Sequence, residues 1–325
     1  MRFSRRQFVH LAASATALSA MSCIARAQPY PSRPVRIVVG FPAGGTSDIV
    51  ARVLGQWLTE RLGQQFVVEN RPGAGSNLAT EAVARATPDG YTLLLVGGAN
   101  TINATMFDKL TFDFLHDIAP VASVFETPLV VEVNPSVPAR SIPELVTYAK
   151  DNPGKLNFAT PGVGTPPHVA GELFKMTAGL NFVHVPYRGT GPMLTDLIGG
   201  QVQVAFDPLP ASIEHIRAGN LRALAVTTAS RSEALPNVPS VSEHLPGYVA
   251  SNWYGFAAPK GTPLEIVGKL NAEINAALAD PKVKARFTEL GGTPLSSSPA
   301  EFVKFVADDT AKWAKVIKAA NIKPE

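Results

Sequence analysis

The sequence predicts an α/β protein of two lobes joined by a pair of linking strands, and three observations predict it. Short aliphatic runs alternate with helical patterns along the chain, as in largely parallel sheets covered by helices. Two extended apolar stretches broken by Pro or Gly, 121–133 and 251–258, suit strands crossing between lobes. Three helix starts are written out by a hydroxyl residue and a glutamate three positions on: Ser141 with Glu144, Thr262 with Glu265, and Ser298 with Glu301. At this spacing hydroxyl and carboxylate satisfy free backbone N–H groups reciprocally, and Pro263 and Pro299 are expected at the first helical positions of the latter two. The lobes fall at 28–124 plus 255–325, and at 125–254.

Residues 1–27 read as an export signal. Ser4, Arg5 and Arg6, then Gln7, Phe8 and Val9, precede a weakly apolar run from Leu11 to Ile24, which points to twin-arginine export with cleavage after Ala25-Arg26-Ala27. That run is too short and too polar for a membrane span, which needs about 20 apolar residues. The mature chain is therefore expected to be soluble and periplasmic. Cys23 is the sole cysteine and lies in the removable part, which leaves the mature chain no disulfide, thiolate-held metal or cysteine nucleophile. Lipid attachment at Cys23 is the alternative, although Ser19-Ala20-Met21-Ser22 lacks the large aliphatic residue expected ahead of it. Arg2, Arg5, Arg6 and Arg26 are the only charges in 1–27, and removing these four from the formal +3 leaves −1. A nearly neutral chain argues against a nucleic-acid or anionic-membrane surface.

Taken in order, Val35 to Val39 is the first strand and Ser47 to Leu62 the first helix, with Ile49, Val53 and Trp57 beside Val50, Leu54 and Leu58 on one face. Further strands are expected at 66–69, 91–96, 121–125, 129–133, 156–159, 182–186, 204–206 and 221–226. From Thr262 the chain turns helical, with Ile266, Leu270, Ile274 and Leu278 at four-residue spacing.

Function is expected at the strand-end loops, because ligands of open α/β sheets bind beyond the carboxyl ends of strands. The first loop is Phe41-Pro42-Ala43-Gly44-Gly45-Thr46-Ser47-Asp48. Its glycines let backbone approach a ligand, and the following helix start offers free N–H groups to a carboxylate; the alternative is an ordinary turn capped by Ser47 or Asp48. A second loop of this kind, Thr160-Pro161-Gly162-Val163-Gly164-Thr165-Pro166-Pro167-His168, stands in the other lobe, so that two helix starts would grip an anion from both sides. His168 is either a donor to the ligand or a capping or packing residue. In a third loop Tyr187 and Arg188 offer hydrogen bonds and a cation, or Arg188 is a solvated charge. Asp207 follows a strand; beside an anion it must accept from a ligand hydroxyl or ammonium or orient a water, unless it caps the turn before Pro208.

Together these loops resemble the Bug-type extracytoplasmic receptors of tripartite tricarboxylate transporters, from about Pro31 to the C-terminus. The resemblance rests on Tyr30-Pro31-Ser32-Arg33-Pro34-Val35-Arg36, Phe41-Pro42-Ala43-Gly44-Gly45 with Asp48 and Ala51-Arg52, and Val68-Glu69-Asn70-Arg71-Pro72-Gly73-Ala74-Gly75. It continues through Val185-Pro186-Tyr187-Arg188-Gly189, the run from Leu194 to Val202, and the run from Leu221 to Thr227. It implies a two-lobed, type II-like "Venus flytrap" of the periplasmic binding-protein type that delivers a carboxylate to membrane permease subunits; the chain is expected to be a monomer. It further implies that the loops at Phe41 to Asp48 and Thr160 to His168 hold the carboxylate through backbone groups and waters, that Asp207 lines the pocket, and that Gly97 to Asn100, with Ala99, forms part of its wall. Ser76 replaces a common glycine and Thr165 a common serine.

A periplasmic hydrolase is the rival from another class, but GxSxG, HExxH and GxxxxGK are all missing. The chain is therefore read as a non-enzyme without metal or cofactor. A sensor that presents its ligand to a signalling kinase is indistinguishable from a transport receptor at this level. Dicarboxylates, tricarboxylates, amino acids and aromatic acids all remain open as ligands.

Overall fold

The computed structural model describes residues 30–107, 109–319 and 322–323. The expected export signal and Cys23 lie outside the described residues.

The first sheet grows from β1 (Val35–Val39), whose VRIVV sequence is buried at four of five positions and pairs in parallel with β2 (Phe66–Asn70) on one side and β3 (Thr92–Gly97) on the other. Burial on both faces needs a continuous aliphatic run rather than alternation, and β3 (TLLLVG) has the same character. Helix α1 (Thr46–Leu62) follows β1; α2 (Asn77–Ala84) precedes β3 and α3 (Gly98–Met106) follows it. The strand expected at 91–96 runs to Gly97, and the chain turns into α3 at Gly98, where Asn100 Oδ1 accepts from the Gly97 N–H at 2.9 Å and closes a helical turn.

After the single turn α4 (Phe114–Asp117) comes β4 (Ile118–Val133), a strand of 16 residues and about 50 Å at roughly 3.3 Å per residue. The sequence predicted two strands here, at 121–125 and 129–133. They are one strand that changes partners: residues 118–128 pair antiparallel with β9 (Ser251–Pro259), and 129–133 pair with β7 (Val204–Pro208) and β8 (Arg222–Val226). Pro128 sits at the handover, where its missing N–H disturbs the ladder least. The second sheet is completed by β5 (Asn157–Thr160) and β6 (Val183–Pro186), giving the order β2-β1-β3-β9-β4-β7-β5-β6, with β8 and the two-residue β10 (Thr293–Pro294) attached to β4. Because β4 is common to both sheets and pairs with β9 along most of its length, Arg33–Glu325 forms one compact unit.

The remaining helices are α5 (Ile142–Asp151), α6 (Pro166–Ala178), α7 (Thr190–Ile198), α8 (Leu209–Arg217), α9 (Leu264–Ala279), α10 (Pro281–Glu289) and α11 (Pro299–Ala319). Of the three expected capping boxes, one is reciprocal. Glu301 N donates to Ser298 Oγ at 3.2 Å and Ser298 N to the Glu301 carboxylate at 2.8 Å, with Pro299 opening α11; a cap of this kind contributes about 1 kcal/mol. At α5 the Ser141 hydroxyl caps Glu144 N, but the Glu144 carboxylate accepts from Arg140 N, one residue early. At α9 the expectation fails: Thr262 Oγ1 donates back to Pro259 O, and Pro263 is the cap residue itself instead of the first helical position. Helix α11 joins two cores, packing Phe302 and Val306 with Val38, Leu94 and Trp253, and Trp313 and Ile317 with Phe174, Phe206 and Tyr248.

Candidate functional site

The starts of α1, α3, α6, α7 and α8 line one cavity of about 40 Å³, bordered among others by Phe41, Pro42, Gly45, Thr46, Ala99, Thr165, Thr190, Asn252 and Tyr254. It opens into a larger space of about 720 Å³ walled by the Pro72–Gly75 segment, Gly162, Val163, Tyr187 and Arg188, with Phe41, Pro42, Pro161, Thr165 and Gly189 common to both.

The first-strand loop enters α1 at Gly45, an extended residue (φ −81°, ψ 167°) whose helix start has no side-chain cap. The N–H groups of the first turn of α1 therefore lack a local side-chain acceptor, and the helix dipole adds partial positive charge there. Phe41, Pro42, Gly45 and Thr46 line the cavity; Ala43 and Gly44 are exposed on the outer side of the turn. Asp48 faces away and braces the loop: it accepts from Gly44 N at 3.0 Å, Arg52 Nε at 2.9 Å and Asn70 Nδ2 at 3.0 Å, and Asn70 also holds Phe41 O. Burial pushes its carboxyl pKa up, but the bonds from Arg52, Gly44 and Asn70 together outweigh burial and hold it below the ordinary value.

The second-strand loop contributes differently from what the sequence implied. Helix α6 opens with Pro166 and Pro167, which carry no N–H, so its first two positions offer apolar ring instead of donors. The facing donors come from α7, which begins uncapped at Gly189 and Thr190. A β-carbon built on Gly45 would lie 3.9 Å from Thr190 Oγ1, and one on Gly189 2.9 Å from Pro42, so the α1 and α7 starts meet across the cavity. Gly162 reaches the outer space and accepts through its carbonyl from Thr165 Oγ1 at 2.7 Å. Gly164 lies behind the loop, at φ +72° against Asn103. Thr160 is buried behind it too, its hydroxyl 2.7 Å from His184 Nε2.

His168 is a loop support. It is buried, its Nδ1 accepts from Gly164 N at 3.3 Å, and its ring stacks on His184 at 4.3 Å, which stacks in turn on Phe158 at 4.7 Å. Burial first, then His184 and Lys175, depress the His168 pKa to about 3; burial and Lys175 depress that of His184 to about 4. A base depressed on folding stabilises fully above its unfolded pKa of about 6.5 and loses that contribution as pH falls toward the folded value. The melting temperature is therefore expected to fall as pH is lowered from about 6.5 toward 4, less steeply in His168→Gln, as calorimetry across that range would read.

The rim and walls complete the picture. Tyr187 OH donates to Asp196 at 2.7 Å, and burial together with that carboxylate pushes its pKa up to about 12; Arg188 stands exposed at the mouth. Asn100 lines the cavity, but its amide is committed to Gly97 N and Thr80 Oγ1. Asp207 lies one bond behind the lining, accepting from Thr190 Oγ1 at 3.2 Å. Sequence reasoning passed over Thr190, Asn252 and Tyr254. Asn252 Nδ2 donates to Tyr254 OH at 2.7 Å, leaving Asn252 Oδ1 buried without a partner among the described residues. Thr190 had a local signal in the uncapped Gly189-Thr190 helix start, whereas nothing local marks Asn252 or Tyr254 in a linking strand.

Two sheets sharing a long strand, with a cavity where helix starts meet, define a solute-binding receptor of the two-lobed periplasmic binding-protein fold, shared with solved periplasmic proteins. The family described as tripartite tricarboxylate transporter family receptor matches residues 50–322. Protein BugT of Bordetella pertussis (strain Tohama I) is 39% identical over 300 residues, covering 91% of this chain and 92% of that protein. R. palustris Rpa4515, solved with adipate, superposes with a TM-score of 0.89 at 37% identity, covering 91% of this chain and 100% of that one. MatC (Rpa3494) from Rhodopseudomonas palustris, with bound malate, gives a TM-score of 0.84 at 32% identity over 89% of this chain and 100% of that one. The chain belongs to the tripartite tricarboxylate transporter receptor family, whose members are solute receptors and not enzymes.

Proposed function

We infer that this receptor captures a small dicarboxylate in the periplasm and delivers it to the membrane permease of a tripartite tricarboxylate-type transporter. The observation that carries the reading is the meeting of two uncapped helix starts, at Gly45–Thr46 and Gly189–Thr190, over a cavity whose lining holds no Lys or Arg among the described residues. Such a site holds one carboxylate through backbone N–H groups and partial helix charge. The inner cavity is the smaller of the two spaces, so the carboxylate sits there and the rest of the ligand extends past Phe41 and Thr165 toward Tyr187 and Arg188. Rpa4515 and MatC carry adipate and malate, four-carbon to six-carbon dicarboxylates that suit this division into an inner and an outer end. Lobes at 28–124 plus 255–325 and at 125–254 close over the ligand, and the Phe41, Gly45, Thr165 and Thr190 contacts form from both sides.

Thermal shift with adipate, malate and the neutral diamide of adipic acid tests this. A dicarboxylate is expected to stabilise by about 2.7 kcal/mol at a hundredfold excess over its Kd, the diamide not at all. Equal shifts with acid and diamide, or none with either acid, would refute dicarboxylate capture.

A further inference from the structure

Behind Thr190 the sheet carries two carboxyls that the cavity itself does not use. In the β4–β7 ladder Asp207 lies opposite Val130 and Glu132 opposite Ala205. Cross-strand partners share a face and side chains alternate along a strand, so Glu132 and Asp207 are diagonal neighbours on the same face. Both are fully buried. Asp207 Oδ1 accepts from Thr190, while Asp207 Oδ2 and both carboxyl oxygens of Glu132 have no hydrogen-bond partner among the described residues. The groups bearing on the pair are Thr190 of α7, Ser212 of α8 and the buried phenol of Tyr254 on β9.

Nearby charges are engaged elsewhere. Arg222 of β8 donates to the carbonyls of Pro135, Val137 and Ala139, Arg217 of α8 pairs with Glu214 at the surface, and Asp196 of α7 accepts from Tyr187. His215 lies partly exposed in the last turn of α8. Burial raises both carboxyl pKa values well above the ordinary range, and the neighbouring Asp207 raises that of Glu132 further. Two adjacent buried carboxyls without a cation do not both ionise.

We propose that Asp207 is kept protonated beside Glu132, its proton directed at Thr190 Oγ1, and that this turns the Thr190 hydroxyl into a donor for the ligand carboxylate, Glu132 acting as a positioning residue. The proposal rests on reading the cavity as a carboxylate site. An ionised Asp207 can only accept, so Thr190 must donate to it and present lone pairs to an incoming anion. A protonated Asp207 donates to Thr190 Oγ1 across the same contact, which frees the Thr190 hydrogen to point into the cavity. The second carboxyl keeps the proton in place, and ligand affinity falls once the pair loses it.

The test has a ligand-free arm and a ligand arm. In the ligand-free protein, 13C NMR titration of Asp and Glu carboxyl carbons, assigned with Glu132→Gln and Asp207→Asn, is expected to show Asp207 protonated near pH 7, and Asp207 ionising at lower pH in Glu132→Gln. Adipate affinity, measured by calorimetry from about pH 5 to 9, is expected to fall at lower pH in Glu132→Gln than in wild type, by about tenfold per unit of displaced pKa, while Asp207→Asn shows no such fall. An ionised Asp207 at pH 7, whatever the state of Glu132, or superimposable pH profiles for wild type and Glu132→Gln, would overturn the proposal. A protonated Asp207 with no binding of adipate or malate at any pH would overturn the cavity reading and the ligand half of the proposal with it, leaving the protonated Asp207 standing.

Discussion

Gly45→Val is expected to abolish dicarboxylate binding while leaving the ligand-free protein folded. The residue is extended, a conformation open to any L-amino acid, and a β-carbon there meets only Pro42 O at 3.7 Å and Thr190 Oγ1 at 3.9 Å. Both are ordinary van der Waals separations, so the ligand-free melting temperature should stay within about 2 °C of wild type. The two methyl groups, however, extend between the α1 and α7 starts into a cavity of about 40 Å³, where they take the room of a carboxylate and set hydrocarbon against the N–H groups it would use. The affinity loss is expected to exceed about a hundredfold, about 2.8 kcal/mol, and the thermal shift with adipate should vanish. A full shift in this variant would remove Gly45 from the binding surface.

Gly164→Val should do the reverse, destabilising the fold whether or not ligand is present. At φ +72° a β-branched residue is strained, and its β-carbon would lie 2.1 Å from Asn103 Oδ1. Asn103 cannot retreat cheaply, because its Nδ2 donates to Gly75 O at 2.6 Å. Backbone strain and overpacking each cost about 1–3 kcal/mol, so a loss of about 4 kcal/mol and a fall in melting temperature of roughly 8 °C are expected. In an Asn103→Ala background the overpacking part should disappear and the strain part remain. Unchanged stability of Gly164→Val would mean that the loop relaxes away from α3.

These two glycines show what was legible in the sequence. Both stand in glycine-containing loops between a strand and a helix, and local pattern assigned them one role, close approach to a ligand. The structure separates them, since Gly45 borders the cavity and Gly164 packs on Asn103. The loop from Phe41 to Thr46 was readable because strand end, glycine pair and helix start are all encoded within a few residues. The pair Pro166-Pro167 is legible as well, as two positions without N–H groups that leave the α6 start without its first donors. Asp48 and His168 drew notice as polar residues near helix starts; their bonds to Gly44 and Gly164 make them supports of the loops. Glu132, in a strand that reads as apolar, became informative only when β7 placed Asp207 beside it.

By itself the sequence determined the elements, the alternation of strand and helix, the strand-end loops and the family, because these follow from side-chain periodicity, backbone donors and turn chemistry acting over a few residues. Tertiary structure decided that β4 serves both sheets, that α7 instead of α6 faces α1, and that Asn252 and Tyr254 close the cavity. The physical reason is range: hydrogen-bonding capacity and caps are local, whereas the register of a long strand determines which distant helix starts and buried side chains share one space.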